Sequence, residues 1–164
     1  MAPRAVKEVL EIDEGHLAPL VEAIASLELV EGWINLTPGV PSNTVIEDRS
    51  LVSWFAGAQS VEAPLATWMP SAPGSSASGT LGVLHRRGRL HREGLAGMAS
   101  IPSSWRNQQD HARRGLLFEV PETTPAELAE IMVSVVEELT TVTTTGRYLV
   151  EVFRRPARSL KRPV

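Results

Sequence analysis

The chain has 164 residues, 43% of them hydrophobic and 21% charged, a length that fits one domain able to bury roughly two thirds of its unfolded surface and a balance that argues against wholesale disorder. It has no cysteine, which excludes disulfides, cysteine-based zinc sites, iron–sulfur ligation and a thiol nucleophile. The net charge of −3 is unevenly spread, with nine acids against two bases in residues 1 to 48, eight arginines against four acids in 49 to 119, and six of each in the remainder.

The first residues carry Glu8, Glu11, Asp13 and Glu14, where a signal peptide needs a basic start and an apolar stretch. No apolar run approaches the ~18 residues of a membrane span, so the expected location is the cytoplasm, with no membrane partner. Residues 5 to 12 alternate apolar and charged positions as a first strand does. Asp13 stands where a helix N-cap belongs, and Leu17, Leu20, Val21, Ile24 and Leu27 follow at helical spacing. That predicts a helix over about 16 to 28, with Pro19 in its first turn, where a missing N–H does no harm. Residues 31 to 36 read as a second strand, closed by Pro38, Gly39 and Pro41.

The middle reads less clearly. Residues 61 to 69 are strand-like, with Pro64 pushing them toward a sheet edge. Residues 70 to 79 (PSAPGSSASG) are the one low-complexity stretch, expected to be a flexible loop. Residues 80 to 85 read as a strand in which Gly82 marks a bulge or a close packing contact. A short helix is expected to open near Pro102 or Ser103.

Residues 115 to 120 are the next strand. Thr124-Pro125-Ala126-Glu127 is a capping box with proline at the first helical position, and Leu128, Ile131, Met132, Val135, Val136 and Leu139 extend it into a helix over 125 to 140. Residues 147 to 153 alternate strictly and form the last strand. The order predicts an α+β fold of two layers: a mixed or antiparallel sheet with two main helices on one face, and ferredoxin-like βαβ units at both ends. The expected organisation is a single domain over 1–155, with an irregular middle at 38–114 that includes the flexible loop 70–79, and a basic tail at 156–164.

No complete catalytic motif is present. There is no G-x-x-x-x-G-K-[ST] and no G-x-G-x-x-G, and Gly74-Ser75-Ser76-Ala77-Ser78 lacks the second glycine of a nucleophile elbow. His85 and His91 have no cysteine pair before them, and neither a metal nor a cofactor is expected. The densest chemistry is His85-Arg86-Arg87-Gly88-Arg89-Leu90-His91-Arg92, followed by Trp105 and Asp110-His111-Ala112-Arg113-Arg114. Arginine offers planar, bidentate donors suited to phosphate and carboxylate, and tryptophan a stacking face. The candidate ligand-binding set is therefore Arg86, Arg87, Arg89, Trp105, Asp110, His111, Arg113 and Arg114. The plainer reading is a solvated turn whose arginines pair with the acidic N-terminal third. Asp110 and His111 are neighbours whose side chains point apart, so they form no dyad by themselves. Trp54, Trp68 and Trp105 either cover core edges or line a groove.

The words Gly32-Trp33, Leu36-Thr37-Pro38-Gly39-Val40-Pro41, Ala66-Thr67-Trp68 and Gln109-Asp110-His111-x-Arg113-Arg114-Gly115-Leu116 resemble those of small uncharacterised proteins of actinobacteria. The resemblance covers most of residues 31 to 120 and implies no activity. The function expected is therefore a non-catalytic binding or assembly protein with an arginine-rich surface for an acidic protein partner or anionic ligand, and with a homodimer among its forms. The alternatives are a small hydrolase or transferase for a phosphate-bearing substrate, with His85, His91 or His111 as acid or base, and a nucleic-acid-binding protein, which ranks below a protein partner.

Overall fold

The structure is a computed structural model that describes residues 5–39, 64–84, 98–111, 114–140 and 143–155. Seven strands and two helices follow one another as β1 (Val6–Asp13), α1 (Ala18–Ser26), β2 (Gly32–Pro38), β3 (Leu65–Met69), β4 (Gly79–Leu84), β5 (Arg106–His111), β6 (Gly115–Val120), α2 (Pro125–Leu139) and β7 (Arg147–Arg154). The strands form one sheet in the order β1-β7-β2-β3-β4-β6-β5, and every neighbouring pair is antiparallel. The fold is thus α+β with an antiparallel sheet.

Strand alternation sets the core. Side chains two residues apart share a face, and the register stacks Leu36, Val150 and Ala66, then Ile34, Val152 and Trp68, across β2, β7 and β3. Leu81 and Val83 continue these rows onto Phe118 and Leu116. All of these are buried, together with Leu20, Ala23 and Ile24 of α1 and Leu128, Met132, Val135 and Val136 of α2. The helices pack against each other, α2 against β2 and β3, and α1 against β1. The opposite face carries Trp33 and Phe153, stacked 4.7 Å apart, and Asn35 with Thr67, whose hydroxyl donates to Asn35 Oδ1 at 3.0 Å.

The second helix begins as its sequence dictates. Thr124 Oγ1 accepts from Glu127 N at 3.3 Å, and Glu127 Oε2 accepts from Thr124 N at 3.0 Å. Hydrogen bonds from the Thr124 side chain and backbone hold the Glu127 carboxyl below its ordinary value. The first helix begins differently from expectation. Its N-cap is Leu17, without a side-chain cap, while Asp13 is the last residue of β1 and its carbonyl accepts from His16 N at 2.9 Å. Strand pairing with Arg147 extends β1 through Asp13 and takes it out of the capping position.

In the middle, β3 and β4 fall within or beside the stretches read as strands, and β5 stands where a helix is expected. β3 is an inner strand between β2 and β4, because Pro64 precedes its first paired residue and costs the ladder no donor. Residues 70 to 78 close a β3–β4 hairpin, turned by Ser75 N to Ala72 O at 2.9 Å and by Gly74 at φ +78°. Gly82 sits in unbroken register between Thr67 and Leu117. Its place on the strand is ordinary packing, and the sheet's one irregularity lies at Asn107/Gln109 instead. At Pro102 a single turn, Trp105 N to Pro102 O at 3.0 Å, gives way to β5. The strand wins because Arg106 to His111 pair along β6.

The two strand–helix–strand units differ in kind. β1 and β2 run parallel with only β7 between them, whereas β6 and β7 run parallel with β4, β3 and β2 between them.

Gly115 and Gly146 both have φ near +75°, a conformation that costs an L side chain ~1–2 kcal/mol. At Gly115 a Cβ would also lie 2.1 Å from the Val83 carbonyl oxygen, while at Gly146 nothing stands within 4 Å. G146A is therefore expected to lower stability by that backbone cost alone, and G115A by clearly more. Chemical denaturation of the two variants beside the parent checks the order.

Candidate functional site

Antiparallel alternation fixes the end at which each connection emerges. Asp13, Pro38, Leu65, Leu84, His111, Gly115 and Arg147 all lie at one end of the sheet, here the upper end. Short connections, 27–31, 70–78 and 121–124, occupy the lower end. The connections from β2 to β3 and out of β4 both leave from the upper end. Loops displayed on a rigid sheet end are where binding groups concentrate.

Charge divides along this end. At the β1–β7 side, Arg147 Nη1 meets Glu11 Oε1 at 2.8 Å and Arg147 Nε meets Asp13 Oδ1 at 3.5 Å. At the β4–β6–β5 side stand His111 and Arg114. β1 and β6 are five places apart in strand order, roughly 24 Å at ~4.8 Å per strand. Leu84, to which the 85–92 segment is joined, lies against Gly115, its Cα 3.1 Å from where a Cβ there would sit.

The candidate residues separate as follows. His111 Nδ1 accepts from Arg114 N at 3.2 Å, so the imidazole organises the hairpin turn. Asp110 is opposite Leu116 and His111 opposite Gly115, so the two side chains face different sides of the sheet, as adjacent strand residues must. Trp105 is buried in the core at the lower end of β5, about six residues and ~20 Å along the chain from His111. Its ring is taken up by the core, as is that of Trp68. Arg86, Arg87, Arg89, Arg113 and Trp54 lie outside the described residues, as do His85, His91 and the tail 156–164. His16 and His111 stand at opposite edges of the sheet. Among the described residues no group of three His, Asp or Glu is placed to hold a metal ion, and no helix is long and apolar enough to cross a membrane.

Two further residues shape the upper end. α2 finishes with Glu137 and Glu138, where acids oppose the helix dipole. Each is offset by a partner. Glu138 accepts from Ala99 N at 3.0 Å and Ser100 N at 3.2 Å, as well as from the Ser100 hydroxyl, and so anchors the chain entering β5. Glu137 accepts from the Tyr148 hydroxyl. Two acids at a helix C-terminus were the available sequence signal for both contacts.

No protein-family model, curated protein or solved structure matches the chain significantly.

Burial, then the hydrogen bond to and charge of Glu137, and then the charge of Glu14 hold the Tyr148 phenol well above its ordinary range. The folded chain therefore keeps this proton after the unfolded chain has lost it. The stabilisation is complete below the ordinary value of ~10 and declines as pH rises past it. Tyr148 is the one tyrosine of the chain, so tyrosinate absorbance reports it alone and is expected to appear only as the protein unfolds. Y148F is expected to cost ~1 kcal/mol near neutral pH, with the gap to the parent closing above pH ~10.

Proposed function

We propose that this chain is a non-catalytic binding protein of the cytoplasm, whose arginines of the 85–114 segment meet an anionic partner, foremost an acidic protein surface. In this reading the helices cover one face of the sheet in a two-layer arrangement. Arg114 supplies donors together with Arg86, Arg87, Arg89 and Arg113, and His111 accepts from the Arg114 backbone N–H.

The observation that carries the reading is where the acids of the N-terminal third find their partners. Glu11 and Asp13 pair with Arg147, Glu8 with Arg154 at 2.5 Å, and Glu31 with Arg155 at 3.7 Å. These arginines belong to β7 and the residue after it, at the far side of the sheet from the β5–β6 hairpin. The N-terminal acids were the natural internal counter-charge for the middle arginines, and the C-terminal strand engages four of them first. Guanidinium groups recognise carboxylates bidentately, and such recognition weakens with salt.

A fluorescent polyglutamate peptide is the probe. Binding is expected to fall about tenfold, or about 1.4 kcal/mol, for each of R86A, R87A and R114A, and to weaken steeply between low and physiological salt. Unchanged affinity in folded variants, or a flat salt response, overturns the reading. Preference for a DNA or RNA oligonucleotide over the peptide transfers the surface to nucleic acid.

A further inference from the structure

The two edges of the sheet are built to different standards. β5 is short and wholly polar, and it carries the irregularity at Asn107/Gln109. Asn107 Nδ2 donates to Gln109 O at 3.1 Å and Gln108 Nε2 to Glu119 Oε2 at 3.3 Å. These are devices that keep an edge from pairing with another chain. β1 carries charges at Lys7, Glu8, Glu11 and Asp13 but no irregularity. It runs eight residues in unbroken register with β7, without proline, and exposes Val6 by 63% and Val9 by 52%. Among the described residues its outer side has no paired strand.

We propose that β1 pairs antiparallel with β1 of a second copy of this chain, about a two-fold axis at Val9. The register follows from two constraints. In an edge strand, alternate residues point their N–H and C=O groups outward, and directly opposite residues of an antiparallel pair must be of the same kind. The axis therefore passes through a residue and not between two. An axis at Glu8 sets Glu8 against Glu8 of the other copy, a like-charge contact. An axis at Leu10 sets both Val9 against Glu11 and Glu8 against Ile12. An axis at Val9 leaves Glu8 against Leu10 but sets Val9 on Val9, Val6 on Ile12 and, twice over, Lys7 on Glu11, the one register of the three that pairs these opposite charges.

The neighbouring ion pairs extend this match. Lys7 pairs with Glu151, and Glu11 with Arg147. In the dimer the order across the junction is Arg147, Glu11, then Lys7 and Glu151 of the second copy, with signs alternating throughout. The interface is isologous, so the same strand serves both copies and the assembly closes at two. It uses the edge opposite the β5–β6 hairpin and stands independently of the anion-binding reading.

Sedimentation of the full chain is expected to give twice the 17.8 kDa of one copy. K7E sets two acids against each other and E11K two bases, and each is expected to sediment at single mass. The K7E/E11K double variant restores opposite charges across the axis and is expected to return to double mass. Circular dichroism accompanies each variant, so that loss of fold is told apart from loss of pairing. As a second measurement, V9C in this cysteine-free chain is expected to form a covalent dimer on mild oxidation. K7C, whose two copies lie about four residues apart along the strands, is expected not to. A parent chain that stays at single mass at high concentration overturns the proposal, as does retained double mass in both single reversals. A folded double variant that fails to recover pairing, or cross-linking of K7C in place of V9C, does so too.

Discussion

Antiparallel pairing of seven strands is the constraint on which the rest of the molecule depends. It fixes the direction of each strand and hence the end at which each connection emerges. The turns at 27–31, 70–78 and 121–124 emerge at one end, and the β5–β6 hairpin tip, the exit from β4 and the start of β7 at the other. Side-chain alternation within the same ladder then decides which residues are buried. Ile34, Leu36, Val150 and Val152 form one set with Leu81, Val83, Leu116 and Phe118. A one-residue slip would turn every one of them outward, so core and surface charge layout are settled by the same register.

Where local chemistry alone decides structure, it was readable in the residues. The capping box at Thr124 and Glu127 forms as its pattern implies, and β6 and β7 follow strict alternation. Misreadings arose where tertiary pairing outweighed local preference. Asp13 has the chemistry of a cap, but pairing with Arg147 keeps it in a strand. Residues 106 to 109 have little strand propensity, yet a ladder with β6 makes them one. Pro64 marked an edge only on the assumption that it lay inside the strand.

The candidate site was legible in composition and not in geometry. Sequence placed Trp105 beside the arginines, but six strand residues carry it to the opposite end from His111, into the core. The role of His111 as a backbone acceptor for Arg114 depends on the hairpin bending back, which no local pattern announces. The acids of Glu137 and Glu138, by contrast, sit where the helix dipole disfavours them. Their contacts with Tyr148 and with Ala99 and Ser100 explain a feature that helix propensity alone leaves unaccounted for.

β7 is the last strand made and lies between the first two. Val6 pairs with Arg154 and Ile12 with Tyr148, contacts that close nearly the full length of the chain. Such distant closures carry a loop-entropy cost before any contact rewards them, and they slow folding. While the chain leaves the ribosome, β1 and β2 have no strand to join them. The N-terminal acids spend that interval without Arg147, Arg154 and Arg155, the partners they meet only in the finished fold.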